Sequence, residues 1–196
     1  MSNNDLFSMQ GKLVLVTGAS SGLGKHFAQV LAKAGATVLL SARNVEKLQQ
    51  VLDQIQAEGG QAFAVAMDVS NSTSVKTALN AIVDQHGVPD VLVNNAGQSI
   101  AKPMLEQTED DWDQIIDTNL KGCWLVGTEL ARALAAAGKP GSIVNIASIL
   151  GERVGGAVGP YAISKAGLVQ ATKAMALELA RYSIRVNAIL PGYVAT

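Results

Sequence analysis

The chain alternates regularly between short apolar strand patterns and longer helical patterns, and this alternation constrains the fold more than any other feature. The strand patterns lie near residues 12–17, 36–41, 61–66, 90–94, 141–147 and 184–190. The helical patterns lie near residues 22–34, 44–58, 71–86, 109–137 and 160–182. Strand runs such as Val91-Leu92-Val93 are apolar on both faces, which indicates a parallel sheet covered by helices on both sides. We therefore predict an α/β fold, a doubly wound parallel sheet of strand order 3-2-1-4-5-6, in a single domain over residues 1–196.

A glycine-rich loop, residues 18–24, separates the first strand pattern from the first helical pattern. A strand, a glycine loop and a helix in this order are the context in which main-chain amides bind a pyrophosphate at a helix N-terminus. Gly18 is expected to make the tight turn, Gly22 to let the backbone approach the ligand, and Gly24 to permit close packing of helix on sheet. A turn-forming loop without a ligand is the alternative.

Tyr161 and Lys165 are four residues apart in a helical pattern, so they share one helix face. A nearby positive charge favours the phenolate form of a tyrosine, which suits it to proton transfer with an alcohol or carbonyl oxygen. Ser148, thirteen residues before Tyr161, has a hydroxyl that can hold the same oxygen. An exposed Tyr and Lys on a solvated helix face is the alternative interpretation.

Composition excludes several classes of protein. The net charge is −1 and basic residues form no run, which disfavours a nucleic-acid partner. No apolar run reaches the roughly 18 residues of a membrane span, and residues 1–10 lack a signal-peptide pattern. His26 and His86 lie far apart, so no metal site is expected. The single Cys123 has no partner for an internal disulfide, which favours the cytoplasm, and its apolar surroundings predict a buried small hydrophobe.

Several short motifs occur together along the chain: Thr17-Gly18-x3-Gly22-x-Gly24, Asn94-Asn95-Ala96-Gly97, Asn119, Ser148, Tyr161-x3-Lys165 and Pro191-Gly192. In order and spacing the chain resembles the short-chain dehydrogenase/reductase family, from about residue 11 to residue 196, and most of all its 3-oxoacyl-(acyl-carrier-protein) reductase type. The resemblance implies a Rossmann-type fold and a hydride transfer between a nicotinamide cofactor and a carbonyl or secondary alcohol. The epimerases and dehydratases of the longer branch are disfavoured because they usually carry T-G-x-x-G-x-x-G in the first loop.

The resemblance also implies a role for each catalytic residue. Tyr161 is the general acid in reduction and the general base in oxidation, Lys165 favours its phenolate and binds the nicotinamide ribose, and Ser148 orients the substrate oxygen. Asn119 holds a water that links Lys165 to solvent, with an ordinary polar position on a helix as the alternative. Asn94 is implied to be chiefly structural.

The second strand pattern ends without an acidic residue that would accept from a ribose hydroxyl, and Arg43 follows it. Arg43 attracts a 2′-phosphate, so NADP(H) is favoured, with a merely solvated charge as the alternative. NAD(H) remains the second choice because Ser21 is neutral where NADP-preferring relatives often carry a basic residue. Asp68 is implied to bind the adenine amino group, with a helix N-cap as the alternative that Ser70 or Asn71 fills equally well. The implied cofactor contacts are Gly18, Ser20, Ser21, Gly22, Leu23, Gly24, Arg43, Asp68, Val69, Asn95, Ala96, Gly97, Tyr161, Lys165, Pro191, Gly192, Val194 and Thr196.

Relatives normally continue past the segment that matches residues 191–196 into a helix pair over the substrate and a seventh strand. We expect both to be absent from these 196 residues, which would leave the cleft without a lid and one sheet edge uncovered. A fragment or a cleavage product of a longer chain is the alternative. A cofactor-binding or oligomerising module with little catalysis is therefore the alternative function. The substrate is expected to be a carbonyl or alcohol compound. Residues 149–159 are compatible with acyl thioesters, steroids, sugars and simple alcohols and do not choose among them.

A homodimer or homotetramer is expected through the two long helices at 109–137 and 160–182, as in the family. The apolar residues proposed for this contact are Ile115, Leu120, Leu125, Leu168, Ala171 and Leu177.

Overall fold

The computed structural model describes residues 7–194. The strands are β1 Leu13–Thr17, β2 Thr37–Ala42, β3 Gln61–Ala66, β4 Val91–Asn94, β5 Gly141–Ile146 and β6 Ile184–Ile189. The α-helices are α1 Gly22–Lys33, α2 Val45–Ala57, α3 Ser72–His86, α4 Glu109–Ile116, α5 Gly122–Ala136 and α6 Gly159–Leu179. Every predicted strand is present within two residues of its predicted bounds. Residues 1–6, 195 and 196 lie outside the described residues, and Thr196, a predicted cofactor contact, is among them.

The six strands form one parallel sheet of order β3-β2-β1-β4-β5-β6, as predicted. The order reverses between β1 and β4, which are neighbours in the sheet although two strands separate them in sequence. Ligands of such sheets bind at the carboxyl ends of the strands, where the reversal opens a crevice between the connecting loops.

Apolar side chains fill both faces of the sheet. Along β1, Val14 and Val16 belong to one core with α1 and α2, whereas Leu15 belongs to the other core with α3, α5 and α6. All three side chains are fully buried. Successive strand residues point to opposite faces, so a strand between two helical layers must be apolar at every position. This is the physical reason for the uninterrupted apolar runs in the sequence.

The long helix predicted over residues 109–137 is divided in the structure. A π-helical segment, Asp117–Lys121, joins α4 to α5 and buries Asn119 completely. The helical spacing of apolar residues does not reveal such a segment, because one extra residue in a single turn changes the periodicity very little. The helix predicted over 160–182 ends as an α-helix at Leu179 and continues as a single 3₁₀ turn.

The oligomer surface predicted from these two helices is partly wrong. Ile115 and Leu168 are buried within the chain, and Leu120, Leu125 and Ala171 are half-buried. Only Leu177 of the proposed set is exposed, with 82% of its surface accessible. Helical spacing identified an apolar face, but most of that face packs on the chain's own sheet.

Within residues 7–194, we find no helix that combines the length and the apolar character required to cross a membrane.

Two glycines let the loop after β1 pack tightly, Gly18 against the loop after β4 and Gly24 between that loop and α1. Gly18 has a φ of +64°, and a Cβ on it would lie 2.8 Å from the Cα atom of Ala96. A Cβ on Gly24 would overlap the main-chain carbonyl group of Gly18 and the side-chain amide nitrogen of Asn95. The role predicted for Gly24, close contact between helix and sheet, therefore has a geometric basis in the structure.

We predict that Gly24→Ala destabilises the protein by about 1 to 3 kcal/mol, because the methyl group overlaps main-chain atoms that cannot move independently. Thermal unfolding measures the effect. Gly156→Ala is the matched control, since a Cβ there meets nothing within 4 Å. Equal melting temperatures for the two variants would show that the α1 contact is not as tight as described.

Candidate active site

Two adjoining cavities lie at the carboxyl ends of the strands. The first, of about 470 Å³, runs past the ends of β1, β2, β3 and β4. The second, of about 330 Å³, lies between the ends of β4, β5 and β6 and the start of α6. Leu23, Asn95, Gly97 and Gln98 line both, so the two cavities form one groove across the point where the strand order reverses.

Most of the predicted site residues line this groove. The first cavity contains Gly18, Ser20, Ser21, Gly22, Leu23, Arg43, Asp68, Val69, Asn95, Ala96 and Gly97. The second contains Leu23, Asn95, Gly97, Ser148, Tyr161, Lys165, Pro191, Gly192 and Val194. Gly24 and Asn119 lie outside the lining of both cavities, and Thr196 falls outside the described residues.

The floor of the groove is a joint between the ends of β1 and β4. The Thr17 hydroxyl accepts hydrogen bonds from the main-chain N–H groups of Asn95 and Ala96, at 3.0 and 3.1 Å. The side-chain amide of Asn95 donates in return to the carbonyl oxygens of Thr17 and Gly18, at 3.1 and 3.2 Å. Asn95 therefore has its side chain in this joint and offers mainly its backbone to a ligand.

The first helix presents its N-terminus to the first cavity. Helix α1 begins at Gly22, and the side chain of Ser21 makes no capping hydrogen bond to it. The unpaired N–H groups of a first helical turn, together with the helix dipole, favour an anion. The geometry of residues 20–23 thus fits a phosphate group.

Arg43 follows β2 at the rim of the first cavity and is exposed. Among residues 7–194, no carboxylate forms a salt bridge with it. The neighbouring Asn44 accepts a hydrogen bond from the Lys47 N–H and so caps α2. The guanidinium is therefore available to a ligand at the end of β2.

Asp68 does not cap helix α3, so the alternative reading of this residue is wrong. The cap is Asn71, whose side chain accepts from the Ser74 N–H at 2.9 Å. One carboxylate oxygen of Asp68 accepts from both the N–H and the hydroxyl of Ser70. These bonds hold the carboxylate at the wall of the first cavity.

Lys165 is a buried cation in the second cavity. Its ammonium donates to the Ile146 carbonyl oxygen at 2.7 Å and lies 5.6 Å from the centroid of the Tyr161 ring. No carboxylate within residues 7–194 forms a salt bridge with it. Burial lowers the pKa of this ammonium from its ordinary value. An unpaired buried charge costs folding free energy, which makes Lys165 a strong candidate for function.

Ser148 and Tyr161 come from different elements and face the same cavity. Ser148 lies two residues after the end of β5 and caps a short 3₁₀ turn, where its hydroxyl accepts a hydrogen bond from the Leu150 N–H at 3.1 Å. Tyr161 lies in the first turn of α6 and is half-buried. Parallel strands bring such residues together because their carboxyl ends meet at one edge of the sheet.

Asn119 supports the groove from below. Its side-chain oxygen accepts from the Gln98 N–H, and its amide donates to the Gln98 carbonyl oxygen, both at 2.8 Å. The same amide donates to the Ser164 hydroxyl at 3.1 Å. A Cβ on Gly97 would lie 3.3 Å from the Asn119 oxygen and 3.5 Å from the Lys165 nitrogen, so Gly97 lies close to both side chains. The Asn119 side chain is thus engaged with protein groups and positions the loop after β4.

Gln98 is the main lining residue that sequence reasoning missed. Its backbone is held by Asn119, and its side-chain amide donates to the Gln114 carbonyl oxygen and the Thr118 hydroxyl. The only available signal was its position directly after Asn94-Asn95-Ala96-Gly97. Met67, Ser99 and Thr118 also line the groove without having been singled out.

Cys123 is buried, as predicted, with 3% of its surface exposed. Burial raises the pKa of its thiol to about 11, although the positive charge of Lys165 acts in the opposite direction. The thiol is therefore protonated at neutral pH and behaves as a small apolar side chain.

The chain matches the family model for short chain dehydrogenases over residues 12–196. It is 38% identical to gluconate 5-dehydrogenase of Gluconobacter oxydans over 196 residues, which span all of this chain and 76% of that protein. It is 36% identical to a 3-oxoacyl-(acyl-carrier-protein) reductase of Thermotoga maritima over 188 residues, 96% of this chain and 76% of that protein.

Solved structures show the same likeness. A gluconate 5-dehydrogenase from Burkholderia cenocepacia, in complex with NADP and tartrate, superposes with a TM-score of 0.94 at 35% identity, over 98% of this chain and 75% of the other. A short-chain type dehydrogenase/reductase from Mycobacterium marinum gives a TM-score of 0.94 at 40% identity, over 98% and 79%. With the motifs, the sheet order and the groove, these matches establish that the chain belongs to the short-chain dehydrogenase family of oxidoreductases.

Proposed function

We propose that this protein transfers a hydride between NADP(H) and a carbonyl or secondary alcohol, with Tyr161 as general acid and base. The observation that carries the proposal is the meeting of Ser148, Tyr161 and Lys165 in one cavity that opens into a second, phosphate-compatible cavity. A proton-transfer group and a dinucleotide groove side by side are what this reaction requires.

The residues of the groove fit an NADP-type cofactor. The N-terminus of α1 suits the pyrophosphate, and the free guanidinium of Arg43 suits a 2′-phosphate. Asp68 would accept from the adenine amino group, and Lys165 would donate to the nicotinamide ribose. When bound, the cofactor supplies or accepts the hydride. The related Burkholderia cenocepacia enzyme was solved with NADP, which supports this choice over NAD.

The chain's own residues would handle the proton. In reduction, the Tyr161 hydroxyl donates its proton to the substrate oxygen, and in oxidation the phenolate removes it. The Lys165 ammonium, held by the Ile146 carbonyl oxygen, favours the phenolate electrostatically. The Ser148 hydroxyl donates a hydrogen bond to the substrate oxygen and sets its direction. Asn119 and Gln98 keep the loop after β4 in place beside these groups.

For the substrate, we propose a small sugar acid or its keto form. Gluconate 5-dehydrogenases and a 5-keto-D-gluconate 5-reductase are among the relatives, and Ser99 and Ser148 add hydroxyls to the cavity lining. A 3-oxoacyl thioester is the second candidate, because Met104 and Leu105 are exposed and the Met104 methyl group packs against Gly159, two residues before Tyr161. Following NADPH oxidation with 5-keto-D-gluconate and with acetoacetyl thioester decides between them. No turnover with any ketone would favour a cofactor-binding module.

Association through the outer faces of α4, α5 and α6 stays a prediction, as does a cytoplasmic location. Trp112, Trp124 and Leu177 are exposed on these helices, which is compatible with a homo-oligomer.

Tyr161→Phe should lower turnover by about 100-fold or more, because it removes the general acid and base but little volume. NADPH affinity, measured by nicotinamide fluorescence, should stay near that of the wild type. Tyr182→Phe is the matched control, since Tyr182 also lies beside a cation, Arg181, but outside the groove. Normal turnover in Tyr161→Phe would refute the assignment.

Arg43→Ala should raise the Kd for NADPH by on the order of 10-fold, because a charge-assisted hydrogen bond to the 2′-phosphate is lost. The Kd for NADH should hardly change, since NADH carries no such phosphate. Lys47→Ala, which removes an exposed charge that does not line the groove, serves as the control. Equal losses for both cofactors would mean that Arg43 does not contact the 2′-phosphate.

A further inference from the structure

A buried chain of hydrogen bonds runs from β4 across β5 into α6. The Asn94 amide donates to the Asn145 side-chain oxygen at 3.0 Å, and the Asn145 amide donates to the Thr172 hydroxyl at 2.9 Å. The Thr172 hydroxyl then donates to the Leu168 carbonyl oxygen at 2.7 Å. All three polar side chains are buried, and none lines the groove.

This chain lies directly beside the support of Lys165. Asn145 precedes Ile146, whose carbonyl oxygen accepts from the Lys165 ammonium. Thr172 follows Lys165 by seven residues, two helical turns, so both side chains project from the same face of α6. Two hydrogen bonds, Lys165 to Ile146 and Asn145 to Thr172, therefore join one face of α6 to two consecutive residues of β5.

The position of Lys165 depends on the distance between α6 and β5. No carboxylate within residues 7–194 pairs with its ammonium, so the Ile146 carbonyl oxygen is the acceptor that holds it. The titratable groups near it are Tyr161 on α6 and Cys123 on α5. Two uncharged groups also lie near it. One is the carbonyl oxygen of Ile146 on β5, and the other is the side chain of Asn119, which supports the loop after β4.

The orientation of the Thr172 hydroxyl is set from both sides. Its hydrogen goes to Leu168 and its lone pair accepts from Asn145, so the hydroxyl cannot rotate without losing a bond. Removing it would leave a buried amide hydrogen of Asn145 without an acceptor. Helix α6 or a water molecule would then have to move to satisfy that group.

We infer that Thr172, through Asn145, is a positioning residue for Lys165 that sets how well the ammonium serves proton transfer at Tyr161. This inference rests on the proposed function. The Asn145–Thr172 hydrogen bond is then a second attachment of α6 to β5, which aligns Lys165 with Tyr161 as well as stabilising the fold.

The chain offers a matched control in Thr128 on α5. The Thr128 hydroxyl donates to the Trp124 carbonyl oxygen four residues earlier, as that of Thr172 does to Leu168. Thr128 does not line the groove and takes no part in the Asn145 chain. Thr128→Val thus removes the same kind of helical hydrogen bond without touching the support of Lys165.

The experiment compares Thr172→Val, Thr172→Ser and Thr128→Val by turnover, NADPH Kd, pH profile and thermal unfolding. Thr172→Val should lower kcat by about 10-fold and raise, by about one pH unit, the pH at which alcohol oxidation reaches half its maximum. The direction follows from the phenolate, which needs a higher pH once the ammonium is less well placed. The NADPH Kd of Thr172→Val should also rise. Thr172→Ser keeps the hydroxyl and should retain wild-type values of kcat, pH profile and NADPH Kd. Thr128→Val should change only the melting temperature.

A Thr172→Val protein that matches Thr128→Val in kcat, pH profile and NADPH Kd would overturn the inference and leave Thr172 a purely structural residue. If Thr172→Val does not fold, Thr172→Ala takes its place, since it also lacks the hydroxyl but leaves room for water. A wild-type protein that binds NADPH without turning over any ketone would refute the proposed function alone. The Kd comparison would then still decide the positioning role, and a wild type that binds no NADPH would refute both.

Discussion

The Thr17 hydroxyl at the end of β1 accepts hydrogen bonds from two consecutive main-chain N–H groups of the loop after β4, and the groove depends on this joint between the two strand ends. It lies where the strand order reverses, the place where two neighbouring loops would otherwise diverge. The side-chain amide of Asn95 completes the joint by donating to the carbonyl oxygens of Thr17 and Gly18. Gly18 leaves room for the loop after β4, and Gly24 lets α1 pack on the joint. The site is therefore built on main-chain atoms that hydrogen bonds and close packing hold together.

A second constraint is the buried charge of Lys165. A cation with no carboxylate partner among the described residues gives up hydration for one strong hydrogen bond to a carbonyl oxygen. Such an arrangement does little for the stability of the fold. In the proposed reaction the ammonium is the electrostatic partner of Tyr161, 5.6 Å from the centroid of its ring, and we propose that the Asn145–Thr172 hydrogen bond helps to position it.

Much of the architecture followed from local patterns. Apolar runs on both strand faces predicted a covered parallel sheet, and the order of the motifs along the chain predicted which strand ends form the groove. The patterns were less informative about surfaces. Ile115 and Leu168 were predicted to serve an interface from their helical spacing, yet both are buried within the chain. The prediction failed because spacing identifies an apolar face without identifying what covers it. The π-helical segment around Asn119 left no comparable trace in the sequence.

The sequence by itself determined the kinds of residue at the site, Ser148, Tyr161, Lys165 and the glycine loop, because their spacing within single elements is a local property. The tertiary structure alone decided how these groups are held. Three hydrogen bonds hold them, and each joins residues far apart in the chain: Asn119 to Gln98, Lys165 to Ile146, and Asn145 to Thr172. Such contacts depend on the distance and rotation between packed helices and strands, which no local periodicity encodes.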